Sequence, residues 1–164
     1  MKNVTRSSST KKQQTQTLYG EFTQEEQRAI LDSVMARDIE NYAGKGYSCA
    51  ESALMVSLRY LGKPEEWVDA AACFGGGLRH KDLCGLLTGG MMALGVSAGM
   101  LHQQRDEIKT YAQELSNKYW NWWASRAPLH CAELSLQYSG REDFLRMCKR
   151  VSVKLQELLE PARQ

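Results

Sequence analysis

The chain has 164 residues, of which 24% are charged and 43% hydrophobic, values typical of one ordinary globular domain. The formal net charge of +2 is too small to indicate a nucleic-acid-binding face, so we expect no nucleic-acid partner. Five cysteines without an apolar leader segment point to a reducing compartment and hence to a cytoplasmic protein. Thiols in that setting are more often catalytic or metal-binding than structural.

The N-terminal segment contains little that a core could bury. Residues 1–20 are mostly Ser, Thr, Lys and Gln, which predicts a disordered tail before a single helical redox-type domain over residues 21–164. Thr23 and Glu26 then have the spacing of a capping box, and the apolar residues that follow recur at helical spacing.

A second capping box determines how the first cysteine is interpreted. Ser48 and Glu51 predict a helix that starts with Cys49 at its first position. Free backbone amides and the positive end of the helix dipole favour a thiolate at such a position. We therefore expect a lowered pKa for the Cys49 thiol.

The stretch over residues 74–101 is the centre of the sequence. It begins with the glycines Gly75 to Gly77 and continues, from Leu83 onward, as nineteen residues without a formal charge. Asp82 suits the N-cap of a helix here, which would place Cys84 in the first turn and lower the pKa of its thiol as well.

The uncharged run just reaches the length of a membrane-spanning helix, but five of its nineteen residues are glycine. We therefore expect a buried central helix and no membrane span. Four of the glycines recur along it and leave one side bare, which predicts that another backbone or a cluster approaches closely there: Gly85, Gly89, Gly95 and Gly99.

The C-terminal half predicts two long helices. One runs from about Asp106 to Ser125, and the other follows Gly140 and directs Cys148 inward. Three tryptophans near the end of the first cover too wide an arc for one core face: Trp120, Trp122 and Trp123. Core packing is their ordinary role, and a homodimer interface or a lid is the alternative. No strand is indicated, so the sequence predicts an all-α bundle of about six helices around the central glycine-rich helix.

The spacing of the cysteines excludes several common sites. The closest pair, Cys73 and Cys84, is separated by eleven positions. Thioredoxin-type Cys-x-x-Cys chemistry, zinc knuckles and covalent c-type haem attachment all need a shorter spacing. Any site must therefore be assembled from distant helices.

The order of the short motifs resembles the C_GCAxxG_C_C family of redox-active proteins over about residues 25 to 160. The motifs are Cys49-Ala50, Phe74-Gly75-Gly76-Gly77, Cys84-Gly85-Leu86-Leu87-Thr88-Gly89, Cys131 and Cys148. The resemblance implies that Cys49, Cys84, Cys131 and Cys148 are the four family cysteines, with Gly85 and Gly89 as the glycines of the central motif. Leu86 departs from the alanine of the pattern, and Cys73 lies outside the four. The family is in turn similar to split-Soret cytochromes, but this chain lacks their haem attachment motif.

Three functions remain open at this point. The first is thiol–disulfide electron transfer with an unknown redox partner, in which Cys49 or Cys84 attacks and another of the four cysteines resolves. Such a chain would be an oxidoreductase-type thiol protein.

The second function is binding of an iron–sulfur cluster or another thiolate-bound metal by the same four cysteines, with His130 or His80 completing the shell. In that case five glycines would leave room for the cofactor: Gly75, Gly76, Gly77, Gly85 and Gly89. The third function is a non-catalytic helical interaction protein that dimerises through its tryptophans. The first three glycines, with Arg79, His80 and Lys81, also suit an anion cradle, although no Walker or Rossmann spacing is present.

Overall fold

The computed structural model describes residues 17–163, and within that range the chain is all-α, as expected. Its α-helices are α1 (Gln24–Asp32), α2 (Val34–Asp38), α3 (Cys49–Tyr60), α4 (Gly85–Leu101), α5 (Arg105–Ala124), α6 (Cys131–Leu134) and α7 (Gly140–Leu159). Short 3-10 segments cover Ile39–Asn41, Glu65–Ala71 and Glu160–Ala162. The described residues form no strand, only isolated bridges such as the one between Leu83 and His130.

Both predicted capping boxes are present. The Thr23 hydroxyl accepts a hydrogen bond from the Glu26 amide at 3.1 Å, and the Glu26 carboxylate accepts one from the Thr23 amide at 2.9 Å. Ser48 and Glu51 make the same reciprocal pair at the start of α3. Two otherwise unsatisfied amides are thereby paired at each helix start, and Cys49 is the first residue of α3 as predicted.

The glycine-rich helix α4 lies at the centre of the bundle, against α3, α5 and α7. Its N-terminal glycines meet α3 directly: a Cβ at Gly85 would lie 2.9 Å from the Ala50 amide nitrogen, and one at Gly89 would lie 2.9 Å from the Ala50 Cα. The expected close approach is confirmed at these two positions. The same expectation is wrong for Gly95 and Gly99. Both are exposed, and an added Cβ at either would meet no atom within 4 Å.

The aromatic end of α5 packs mainly inward. Trp123 is fully buried, and its indole N–H donates a hydrogen bond to the Pro128 carbonyl at 2.9 Å. Trp122 stacks on Tyr119 with the ring centroids 6.1 Å apart. Trp120 is 37% exposed, so the core interpretation accounts for two of the three tryptophans. Dimerisation through this region stays a prediction.

One buried arginine of α7 binds the segment that precedes α1 and the first turn of α1. Arg150 is only 5% exposed and donates hydrogen bonds to the carbonyls of Leu18, Gly20 and Glu21 while it pairs with Glu26. Leu18 is fully buried. Residues 1–16 of the expected tail lie outside the described residues.

The described part of the chain was also expected to lack a membrane-spanning segment. None of its helices combines the length and the hydrophobicity that crossing a bilayer requires.

Candidate functional site

Cys49 and Cys84 lie at the adjoining N-terminal ends of α3 and α4. A Cβ at Gly85 would lie 3.0 Å from the Cys49 Cβ, so the residue next to Cys84 is in contact with Cys49. Cys84 is itself the N-cap of α4, which corrects the expectation that Asp82 caps the helix. The reason is that the backbone stays extended through Cys84, because residues 82–84 pair with a distant segment.

That distant segment brings in Cys131. Leu83 and His130 form an antiparallel bridge, the Cys84 amide donates to the Leu129 carbonyl at 2.9 Å, and the Cys131 amide donates to the Asp82 carbonyl at 2.6 Å. Alternate residues of paired extended segments point to the same face. Cys84 and Cys131 are therefore diagonal neighbours on one face of this short pairing.

Cys148 completes the group from the middle of α7, where it is fully buried. Burial raises the pKa of its thiol well above the ordinary value, and the neighbouring thiols of Cys49 and Cys84 raise it further. Burial raises the pKa of Cys49 to about 11, and the neighbouring Cys131 is the second-largest cause. The structure thus brings together the thiols of Cys49, Cys84, Cys131 and Cys148, which we call the four-thiol cluster.

The predicted lowering of the thiol pKa values is wrong. Burial raises the pKa of Cys84 to about 12, and the adjacent Cys49 adds to the effect. The backbone amides of Leu86 and Leu87 do lower the pKa of Cys84, as predicted, but their effect is smaller than that of burial. Loss of hydration disfavours the thiolate more strongly than a helix start favours it.

The cluster has an outer and an inner pair of thiols. Cys49 and Cys131 are partly exposed, whereas Cys84 is 4% exposed and Cys148 is fully buried. All four are unpaired thiols in this structure. Cys73 stands apart, exposed, just after the 3-10 segment Glu65–Ala71, and it does not contribute to the pKa shifts of Cys49, Cys84 or Cys148.

Two tyrosines border the cluster. Tyr138 is half-buried, and its pKa is raised to about 12 by burial and by all four thiols. Tyr119 is fully buried and donates a hydrogen bond to the Leu86 carbonyl at 3.0 Å, next to Cys84. No motif marks Tyr138 in the sequence, because it reaches the cluster from the loop between α6 and α7.

Four of the five predicted glycines lie where another segment of the site approaches closely, and Gly76 does not. A Cβ at Gly75 would lie 2.7 Å from the Ser48 hydroxyl oxygen, and one at Gly77 would lie 2.7 Å from the Cys131 Cβ. A Cβ at Gly76 would meet no atom within 4 Å. Gly85 and Gly89 approach α3, as described above. Contact of these glycines with a cofactor stays a prediction.

The described residues do not fit a metal site. They contain no group of three or more His, Cys, Asp and Glu side chains arranged to hold a metal ion. His130, considered as a further ligand, instead pairs with Asp82 at 2.9 Å between Nδ1 and Oδ1, and His80 is exposed. No three of the described thiols therefore form a metal site, and the chemistry proposed below uses the thiols alone.

The fold and the site together define an all-α protein with thiols from four distant segments gathered at one place. A family model described as "Putative redox-active protein (C_GCAxxG_C_C)" matches residues 47–161. The chain belongs to this family, and the membership supports a redox role. No curated protein and no solved structure matches the chain.

Proposed function

We propose that this protein carries out thiol–disulfide exchange, with Cys131 as the attacking thiol and Cys49 as the resolving thiol. The observation that carries the proposal is the four-thiol cluster itself: the helix starts of Cys49 and Cys84 adjoin, residues 82–84 pair with the segment that holds Cys131, and neighbouring thiols raise the pKa values of Cys49, Cys84 and Cys148. Cys131 and Cys49 are its two partly exposed members, and Cys131 is the thiol with the largest influence on Cys49.

The raised pKa values favour Cys131 as the attacking residue. A thiol with a pKa of about 11, as for Cys49, is ionised to only about one part in ten thousand at pH 7, and only the thiolate attacks. The pKa of Cys84 is raised further, to about 12, and its side chain is buried. Cys131 is the partly exposed thiol that remains, which replaces Cys49 or Cys84 as the expected nucleophile.

The exchange proceeds in two balanced steps. The Cys131 thiolate attacks one sulfur of a disulfide RSSR, the S–S bond of the substrate breaks, and RS⁻ leaves and takes up a proton. The Cys49 thiolate then attacks the Cys131 sulfur of the mixed disulfide, and the second RS⁻ leaves in the same way. Two electrons pass from the protein dithiol to RSSR, which gives a Cys49–Cys131 disulfide and two RSH.

Cys84 and Cys148, the inner pair, take part in the exchange only through Cys49 and Cys131, the outer pair. Cys84 and Cys148 have almost no exposed surface, so a substrate cannot reach them directly. Cys84 adjoins Cys49, and an internal exchange can therefore pass the disulfide inward without loss or gain of electrons.

The test uses Cys73→Ser as the parent protein, because Cys73 is exposed and reacts on its own. Reduced protein is mixed with 2-hydroxyethyl disulfide, and the released thiol is measured per chain. We expect two equivalents from the parent, one equivalent and a stable mixed disulfide on Cys131 from the additional Cys49→Ser change, and almost none from the additional Cys131→Ser change. Two equivalents from the Cys131→Ser protein would contradict the proposal.

The metal alternative is tested on the same preparation. Protein purified without oxygen is assayed for bound iron and zinc and for visible absorption. Thiol exchange predicts a colourless protein without stoichiometric metal. One metal ion or cluster per chain, with all four thiols protected from alkylation, would instead support the metal-binding function.

A further inference from the structure

The segment between the 3-10 helix Glu65–Ala71 and α4 forms a left-handed turn, which we call the 76–81 turn. Besides two glycines, three other residues have positive φ: Leu78 at 56°, Arg79 at 63° and Lys81 at 57°. Each such residue costs about 1–2 kcal/mol relative to a right-handed conformation. Consecutive residues of this kind are rare outside glycine, and strained backbone of this sort is concentrated at functional sites.

Specific contacts hold the turn in this conformation. The Asp82 amide donates to the Gly77 carbonyl at 2.9 Å, which closes the turn. The Arg79 guanidinium donates to the Ala72 carbonyl at 2.8 Å. The left-handed path therefore determines the direction in which the side chains of residues 79–81 leave the backbone.

The 76–81 turn borders the partly exposed Cys131. Gly77 is so close to Cys131 that a Cβ at position 77 would lie 2.7 Å from the Cys131 Cβ. At the end of the turn, the Asp82 carbonyl accepts a hydrogen bond from the Cys131 amide at 2.6 Å. The 76–81 turn therefore adjoins Cys131 directly.

The turn exposes three successive basic residues, Arg79, His80 and Lys81. Within residues 17–163 none of them forms an ion pair, and the nearby carboxylates have other partners. Asp82 binds His130, and Glu51 is held by Ser48, with Arg79 only a minor influence on its pKa. In this part of the chain, the Arg79 guanidinium and the Lys81 ammonium therefore have no carboxylate bound to them beside the attacking thiol, while Asp82 and Glu51 keep their own negative charges nearby.

We propose that the 76–81 turn is the recognition element of this thiol site and selects disulfides that carry carboxylate groups. The proposal rests on the proposed thiol exchange and names its substrate class. Charges within about one Debye length, about 8 Å at physiological salt, attract an oppositely charged substrate and raise its rate of encounter. Arg79 adds a planar donor group that suits a carboxylate.

The test compares three small disulfides that differ in charge, with the full chain carrying Cys73→Ser. The probes are glutathione disulfide, which carries carboxylates, neutral 2-hydroxyethyl disulfide and cationic cystamine. We expect the rate constants to fall in that order, with about a tenfold or larger ratio between the first and the last at low salt. The ratio should shrink as salt is added, because surface charges are screened.

Two double variants with the same change of net charge locate the effect. Arg79→Gln with Lys81→Gln should bring the ratio of the anionic to the neutral rate constant close to one. Arg105→Gln with Lys109→Gln removes an exposed arginine and lysine at the start of α5. Arg105 follows the far end of α4, whose 17 residues span about 25 Å, and Lys109 lies one turn further along α5, beside Gly95, so the ratio should not change.

The single variant Arg79→Lys keeps the charge but removes the planar donor group, and it should retain most of the preference. Equal rate constants for the three disulfides, or a preference that survives in the Arg79→Gln, Lys81→Gln protein, would overturn the recognition proposal alone. A lack of reaction with all three disulfides would overturn the thiol exchange on which it rests as well.

Discussion

The close approach of α3 and α4 can be tested by adding one methyl group at Gly89. An alanine Cβ there would lie 2.9 Å from the Ala50 Cα and closer still to the Ala50 carbonyl oxygen, where ordinary contacts begin at 3.4 Å. Both neighbours are backbone atoms, so no side-chain rotation can relieve the overlap. The two helices must separate by at least about half an ångström.

The free energy of unfolding should reflect that separation. Overpacking of this kind costs about 1–3 kcal/mol, and alanine regains up to about 1 kcal/mol over glycine inside a helix. Because all the overlapping atoms are backbone atoms, we expect a cost near the upper end of this range, so that Gly89→Ala lowers the free energy of unfolding by about 2 kcal/mol. Gly95→Ala is the matched control on the same helix, because its Cβ would meet no atom within 4 Å. It should raise the free energy of unfolding by about 0.5–1 kcal/mol.

The assay is urea denaturation of both variants, followed by circular dichroism. A second measurement is the rate at which iodoacetamide modifies Cys84, which is buried between the two helix starts. The rate should increase in Gly89→Ala and stay the same in Gly95→Ala. Changes in stability of the same sign in the two variants would refute the backbone contact and, with it, the packing that brings Cys49 to Cys84.

Four further predictions concern the site and the contacts that support it. In urea denaturation, Gly77→Ala should lower the free energy of unfolding by at least about 1 kcal/mol more than Gly76→Ala. Both glycines have positive φ, but only Gly77 adjoins Cys131. Equal losses in the two variants would contradict this contact. Since the Cys49 pKa is about 11, its alkylation rate should rise about tenfold per pH unit between pH 7 and 10, and a plateau near neutrality would be inconsistent with burial. The stability that protonated Cys49 contributes should be fully present below about pH 9 and be lost as the pH rises through about 11, in comparison with Cys49→Ala. Arg150→Met should cost about 3–5 kcal/mol in the same denaturation assay because Glu26 loses its buried partner, and a loss below about 1 kcal/mol would show that this contact is not needed.

Local sequence patterns predicted the starts of α1 and α3 correctly. The spacing of Thr23 with Glu26 and of Ser48 with Glu51 is enough to specify a capping box, because all the atoms involved lie within four residues. The position of Cys49 at the first turn of α3 follows from the same pattern. The grouping of the four cysteines was implied by a resemblance and not by spacing.

The features that the sequence did not predict depend on contacts between distant residues. Cys84 caps α4 in place of Asp82 because residues 82–84 pair with residues 129–131, more than forty positions away. The thiol pKa values rise because packing removes water from the site, and burial cannot be read from a helix start. The left-handed conformation of Leu78 and Arg79 has no local signal either, since both residues ordinarily avoid it.

The most direct test of the four-thiol cluster is the mapping of disulfides after mild oxidation of the full chain. Reduced protein is treated with a limiting amount of diamide, remaining thiols are alkylated, and the linked peptides are identified by mass spectrometry. We expect disulfides only among Cys49, Cys84, Cys131 and Cys148, with Cys49–Cys131 formed first and Cys73 alkylated. Disulfides that join Cys73 to any of the four, or four thiols that all remain unlinked, would contradict the account.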